Sequence, residues 1–270
     1  MLEQMLKNVQ IKKPMIHNIT NYVSANDCAN LLLAINASAI MAEDPMEVEE
    51  ITQACDGLVL NLGILNEQKV KAMLLAGKRA NDCSHPIVLD PVGVGASQFR
   101  ARFCQKLCDQ VHMSVIRGNL SEIKFLAHLS SHSHGVDRNA EDHDDFDTII
   151  HFSKQLSAKM NAIIIVSGKI DIIADKDKAC LVYNGCERMS KITGTGCQLS
   201  SLIAAYISAN PNEMFYSCIA AVCTMGIAGE IANNYLEKGQ GIASYKIHML
   251  DALSNISTND LIKKAHYEIR

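Results

Sequence analysis

Short, uninterrupted apolar runs separated by longer stretches of helical period fill the first two thirds of this chain, and that alternation narrows the choice of fold more than any other feature. Leu58–Asn61, Ile87–Asp90, Ser114–Arg117 and Ala162–Ser167 are the clearest runs. Each is too continuously apolar for a strand with one wet face, so both faces must be covered. Parallel strands joined by crossover helices meet that need. Ile172–Ala174 and Ala179–Tyr183 flank Asp-Lys-Asp-Lys, which predicts a hairpin at one edge of the sheet. Gly196–Ala209, Glu213–Tyr235 and Ile242–Ile256 carry helical period with no strand runs between them, so the chain is expected to close with a helical layer. The expected class is α/β, with a mostly parallel central sheet, helices on both faces and a helical C-terminal layer.

The 270 residues are 48% hydrophobic and 20% charged, enough for one large core and one domain spanning 1–270. A formal net charge of −4 offers no broad attraction to nucleic acid or to an anionic membrane surface. The opening MLEQMLKNVQIKK lacks the apolar stretch of a secretory signal. The longest apolar stretches, Leu31–Ala42 and Ser217–Ala232, are interrupted by Asn36 and Gly226 and fall short of the roughly 20 residues of a membrane span. The ten cysteines are scattered through apolar segments without a C-x-x-C, and Cys104/Cys108 and Cys218/Cys223 lack the partner spacing of a zinc site. Reduced thiols in the cytoplasm are expected. The tract His128–Asp147, dense in His, Ser and Asp, reads as a solvated loop leading into a helix.

In open α/β sheets ligands bind beyond the carboxyl ends of the strands. The residues there are Asn61-Leu62-Gly63, Asp90-Pro91-Val92-Gly93-Val94-Gly95, Arg117-Gly118-Asn119-Leu120-Ser121-Glu122 and Ser167-Gly168-Lys169-Ile170-Asp171. Asp90 and Glu122 are hard oxygen donors of the kind that suits Mg²⁺. Asn119 and Glu122 also have the spacing of a capping box, and both readings stand together. Thr193-Gly194-Thr195-Gly196-Cys197 opens a helix. Glycines there let backbone amides approach an anion, so Gly194, Thr195 and Gly196 form a candidate anion hole. It is not a Walker loop, because no Gly-Lys-Ser/Thr follows.

Cys197, in the first turn of that helix, is expected to have a depressed thiol pKa, and a basic group beside an anion hole is what phosphorylation of an alcohol requires. A buried structural cysteine is the other reading. Arg117 suits either a bidentate phosphate contact or a surface ion pair. Ser167 either meets a nucleotide or ends its strand. His17-Asn18-Ile19-Thr20-Asn21-Tyr22 gathers hydrogen-bonding groups before a helix, where Thr20 or Asn21 can cap. Met41 ends a strand-like run and suits the core or a ligand wall.

The order of these motifs resembles the hydroxyethylthiazole kinase family of the ribokinase-like superfamily. The matching stretches are Pro14–Val23, Ile40–Ala42, Asn61–Gly63, Val88–Gly95, Ile116–Glu122, Gly135–Asp137 and Thr193–Cys197. The resemblance implies transfer of the ATP γ-phosphoryl group to the hydroxyl of 4-methyl-5-(2-hydroxyethyl)thiazole, by a homotrimer with active sites between subunits. It further implies that Met41 and Gly194 contact the thiazole, that Arg117 and Ser167 contact ATP, that Asp90 and Glu122 organise Mg²⁺, and that Cys197 stands where many ribokinase-like relatives place an aspartate base. Three positions depart from the family pattern: Asn18 replaces a cysteine, Glu43 replaces a His or Asp, and Lys169 replaces a glutamate near the phosphates. Other activities compatible with these residues are an ATP-dependent dehydratase of damaged nicotinamide cofactors, another small-alcohol kinase on the same fold, a cysteine hydrolase, and a binding protein with a disabled site.

Overall fold

Nine strands form one sheet in a computed structural model that describes residues 1–130 and 145–270. The strands are β1 (Met15–Ile19), β2 (Ser38–Ile40), β3 (Gly57–Asn61), β4 (Ile87–Asp90), β5 (Val115–Asn119), β6 (Ile163–Ser167), β7 (Asp171–Ala174), β8 (Ala179–Val182) and β9 (Tyr267–Ile269). Their order across the sheet is β2-β1-β3-β4-β5-β6-β7-β8-β9. The first six are parallel and the last three antiparallel. The expected hairpin is β7–β8. The match at Gly135–Asp137, and most of the His128–Asp147 tract, lie outside the described residues.

Eleven helices cover the sheet among the described residues: α1 (Leu2–Lys12), α2 (Ala25–Ala34), α3 (Val48–Ala54), α4 (Glu67–Asp82), α5 (Gln98–Gln110), α6 (Leu120–Ser130), α7 (Phe146–Met160), α8 (Thr195–Ala209), α9 (Met214–Asn234), α10 (Ile242–Ser254) and α11 (Thr258–Lys264). The alternation along each strand splits the core in two. Leu58, Leu60, Ile87, Leu89 and Ile116 pack with residues of α4, α5 and α6, whereas Val59, Val88 and Val115 pack with α1, α2, α8 and α9. Continuous apolar runs are what two covered faces demand. The long apolar α9 has the length and composition of a membrane span, yet 78% of that window is buried inside the protein, which makes it a core helix.

The helical C-terminal layer is present, with one difference from expectation: the chain ends on strand β9, paired antiparallel to β8. Tyr267–Ile269 is exposed and only three residues long, with Glu268 at its centre, so it offers no apolar run. β1 also lacks a continuous apolar run, because His17 and Asn18 interrupt it. Both are buried and bonded. His17 donates from Nε2 to the Ala42 carbonyl (2.9 Å) and accepts at Nδ1 from Thr52 Oγ1 (2.8 Å), an assignment fixed by the carbonyl partner. Asn18 Oδ1 accepts from Ser201 Oγ on α8 at 2.8 Å. The polar residues of β1 thus tie the sheet to the loop after β2 and to α8.

Candidate active site

The carboxyl ends of β1, β3, β4 and β5 converge on the N-terminus of α8, which packs across β1, β3 and β4. Gly194 precedes that helix with φ +85°, a left-handed conformation that favours glycine, and a Cβ there would meet Ser24 Cβ at 3.0 Å. No side chain caps the first turn, so its amide N–H groups are directed off the helix end. Gly196 is small for a different reason. A Cβ at that position would lie 2.5 Å from the Arg117 guanidinium, so the glycine lets arginine lie against the helix start.

Cys197 is half-buried, and its sulfur accepts from two amides, Asn61 Nδ2 at 3.3 Å and Asn21 Nδ2 at 3.4 Å. Asn21 performs two tasks. Its Oδ1 accepts the Val23 and Ser24 amides in the turn ahead of α2, whose N-cap is Ser24 without a side-chain cap, so neither Thr20 nor Asn21 caps that helix; its Nδ2 points into the site. Asp90, at the end of β4, is fully buried. Its Oδ2 accepts from Asn61 Nδ2 and Ser200 Oγ, both at 2.9 Å, and Arg117 Nη1 lies 3.8 Å from its Oδ1. Burial pushes the Asp90 carboxyl above the usual carboxylate range, against the opposing pull of Arg117 and Ser200.

Asp90 Oδ1 has no hydrogen-bond partner. Other buried polar atoms left unpartnered nearby are Thr20 Oγ1, Ser24 Oγ, Arg117 Nε and Gln198 Nε2. Buried polar groups are normally satisfied, so their gathering around one helix end marks a place built for a polar ligand. Glu122 completes the capping box expected from the spacing: Oε2 accepts the Asn119 amide (3.0 Å) while Asn119 Oδ1 accepts the Glu122 amide (2.9 Å). Its Oε1 accepts the Gly93 amide at 2.9 Å. Each carboxylate oxygen retains a second lone pair, and Glu122 lies close enough to disfavour charge on Asp90. The unpartnered Asp90 oxygen and the Glu122 carboxylate therefore fit a hard cation. Among the described residues no group of three or more His, Cys, Asp or Glu side chains is placed to hold a metal.

Beside α8 opens a cleft of about 790 Å³, lined by Arg117, Ser167, Thr195 and Gly196, by Lys169 and Asp171, and by an apolar wall that includes Ile170, Leu199, Val222 and Met225. That volume and mixture suit a small-molecule ligand with a flat apolar part and an anionic part. Ser167 Oγ donates to the Gly118 carbonyl at 3.2 Å. Lys169 is exposed. Asp171, which accepts the Gly168 amide at 3.0 Å, is pushed up to about 6 by burial.

The structure thus brings Cys197, Gly194, Thr195, Gly196, Asp90, Glu122, Arg117 and Ser167 to one end of the sheet. Met41 stands apart, exposed at the end of edge strand β2. Three contacts at this end of the sheet go beyond the motifs, although Asn61 and Asn21 stand in stretches already singled out. Asn61 and Asn21 hold the sulfur, and the buried Lys69 donates to the Thr20 carbonyl (2.8 Å) while pairing with Glu43 (2.7 Å). The Asn61 contact had one available signal: Asn61 and Asp90 end neighbouring apolar runs.

A sequence model of the Hydroxyethylthiazole kinase family matches residues 6–259. A hydroxyethylthiazole kinase from Clostridium acetobutylicum is 51% identical over 271 residues, covering 99% of each chain. Among solved structures, a hydroxyethylthiazole kinase protein from Pyrococcus horikoshii superposes with a TM-score of 0.89 at 30% identity, over 100% of this chain and 98% of that one. A pyridoxal kinase from Staphylococcus aureus in complex with AMP-PCP superposes at 0.64 with 14% identity, over 96% and 98%, a likeness of fold alone.

Proposed function

This chain belongs to the hydroxyethylthiazole kinase family, and we propose that it transfers the γ-phosphoryl group of ATP to the hydroxyl of 4-methyl-5-(2-hydroxyethyl)thiazole, in thiamine salvage. The observation that carries the residue-level reading is a half-buried sulfur at the start of α8. It accepts from two amides, within one residue of the cleft-lining Gly196 and in a network with Asp90.

The nucleotide occupies the 790 Å³ cleft, with Arg117 and Ser167 on its phosphates and the apolar wall against its base. Gly194, Thr195 and Gly196 direct amides at the transferring group, where negative charge is spread over the phosphoryl oxygens. Asp90 and Glu122 would hold Mg²⁺, which when bound neutralises charge on those oxygens. The thiazole hydroxyl lies beside Cys197. Its oxygen bonds to the γ-phosphorus as the bond to the β,γ-bridging oxygen breaks and ADP leaves, and the hydroxyl proton passes to Cys197 Sγ. Two N–H groups aimed at the sulfur complement the negative charge a proton acceptor needs.

Met41 and Gly194 would meet the thiazole ring from different subunits. Support comes from exposed apolar side chains near the β2 edge, namely Tyr22, Val23, Leu33, Met41 and Met46, which suit burial in a homotrimer with sites between subunits. All ten cysteines are free thiols, in keeping with a single-domain cytoplasmic enzyme. The test is ADP release by purified protein with Mg-ATP, with and without the thiazole alcohol, and mass detection of the phosphate ester. Thiazole-dependent ADP and the ester are expected. ADP release indifferent to the thiazole would be transfer to water, and no turnover with ATP still bound would reopen the choice of acceptor.

A further inference from the structure

Asn61 ends β3, fully buried, in register with Asp90 on β4. Its amide makes four hydrogen bonds. Oδ1 accepts from the Gly63 amide (2.9 Å) and from Asn21 Nδ2 (3.0 Å), while Nδ2 donates to Asp90 Oδ2 (2.9 Å) and to Cys197 Sγ (3.3 Å). That is the full capacity of the group. The orientation is fixed by its partners: exchanging oxygen and nitrogen would turn an NH₂ toward the Gly63 N–H and a carbonyl toward the Asp90 carboxylate. The backbone around it is held as well. Leu62 N donates to the Asp90 carbonyl (3.0 Å), and Arg100 donates to the carbonyls of both Gly63 and Val92, joining the two loops that follow β3 and β4.

From this arrangement we infer that Asn61 is a positioning residue of the reaction. A single amide joins the Asp90 carboxylate to the Cys197 sulfur, so the position of the sulfur on α8 is set from the sheet, by the strand that neighbours Asp90. Serine or aspartate at position 61 would keep an oxygen there, but neither can donate to both partners at once. The inference rests on the reading of Cys197 as the proton acceptor.

The experiment compares Asn61→Asp and Asn61→Ser with the wild type by two readouts. The first is kcat and KM for ATP. The second, in protein free of ATP and metal, is the rate at which iodoacetamide alkylates Cys197 at one fixed pH, followed on the Cys197 peptide by mass spectrometry. Asn61→Asp keeps the two accepted bonds, loses both donated ones and places a negative charge beside the sulfur. It is expected to lower kcat on the order of 10²-fold and to slow alkylation at least about tenfold, because the thiolate is the reactive form. KM for ATP should stay within about threefold, since Arg117 and Ser167 are untouched. Asn61→Ser, uncharged and smaller, should show the same pattern at lower amplitude and serves if the aspartate variant does not fold. A folded variant with wild-type kcat and alkylation rate overturns the inference. So does slowed alkylation with unchanged kcat, because the amide would then hold a sulfur that the reaction does not use. If Cys197→Ala keeps its kcat, the proton-acceptor reading fails by itself, and the alkylation rates still report whether Asn61 holds the sulfur.

Discussion

The two sides of the α8 N-terminus are built differently. On the sulfur side, Cys197 and Ser200 of α8 are bonded to Asn61 and Asp90 at the strand ends, and Asn61 has no unused hydrogen-bonding capacity. On the cleft side, Lys169 is exposed, Ser167 makes one long contact to a carbonyl, and the walls enclose about 790 Å³ of open space. One side has a fixed geometry before any ligand arrives. The other leaves its charges for the ligand to pair. Arg117 belongs to both, lying against Gly196, lining the cleft and standing 3.8 Å from Asp90. Substitutions on the sulfur side should therefore act on kcat, and those on the cleft side on ATP affinity.

The largest departure is expected at Asp90. Asp90→Asn removes the charge beside Arg117 and one of the proposed metal-holding oxygens, and kcat should fall on the order of 10³-fold. Steady-state kinetics over a Mg²⁺ titration checks this, and a loss restored by excess Mg²⁺ would move the effect from chemistry to metal affinity. Arg117→Ala comes next, with KM for ATP raised about 10- to 100-fold and a smaller loss in kcat. A kcat loss exceeding the KM change would place arginine on the sulfur side and break the division. Lys169→Ala should raise KM for ATP only about two- to fivefold, with the difference shrinking in high salt, as befits an exposed charge. Salt-independent kinetics for both proteins would remove Lys169 from the phosphates.

The smallest effect concerns stability. Burial raises Asp171 to about 6 in the folded protein, above the usual value for an unfolded carboxylate. Its favourable contribution is therefore complete only below about pH 4 and is lost as pH rises through about 6. Asp171→Asn retains an oxygen for the Gly168 amide and should be more stable than the wild type at pH 7.5 by about 1 kcal/mol, tempered by the open cleft. Thermal melts of both proteins should coincide near pH 4. A gap of the same size at both pH values would point to packing instead of charge.

Much of this division could be seen in the sequence, and the missing part has a physical cause. Continuous apolar runs located β3 to β6 because a doubly covered strand has no polar face, and the glycines before Cys197 announced a helix start open to an anion. The same logic concealed β1, whose His17 and Asn18 are polar yet buried, each satisfied by partners far along the chain. It concealed β9 too, since an exposed edge strand needs no apolar run. The capping box at Asn119 and Glu122 was legible because its bonds span three residues. The Asn21 and Asn61 contacts to Cys197 span 176 and 136 residues, and only the parallel stacking of strand ends brings them together.

The role of Cys197 as proton acceptor is decided by its substitution with alanine and with aspartate, with phosphate-ester formation measured at saturating ATP and thiazole alcohol. Cys197→Ala is expected to lose about 10²- to 10⁴-fold in kcat with KM for ATP nearly unchanged, and Cys197→Asp to recover part of that loss, since a carboxylate at the same helix start can take the proton. An alanine variant that turns over at the wild-type rate would contradict that role and leave the sulfur as packing.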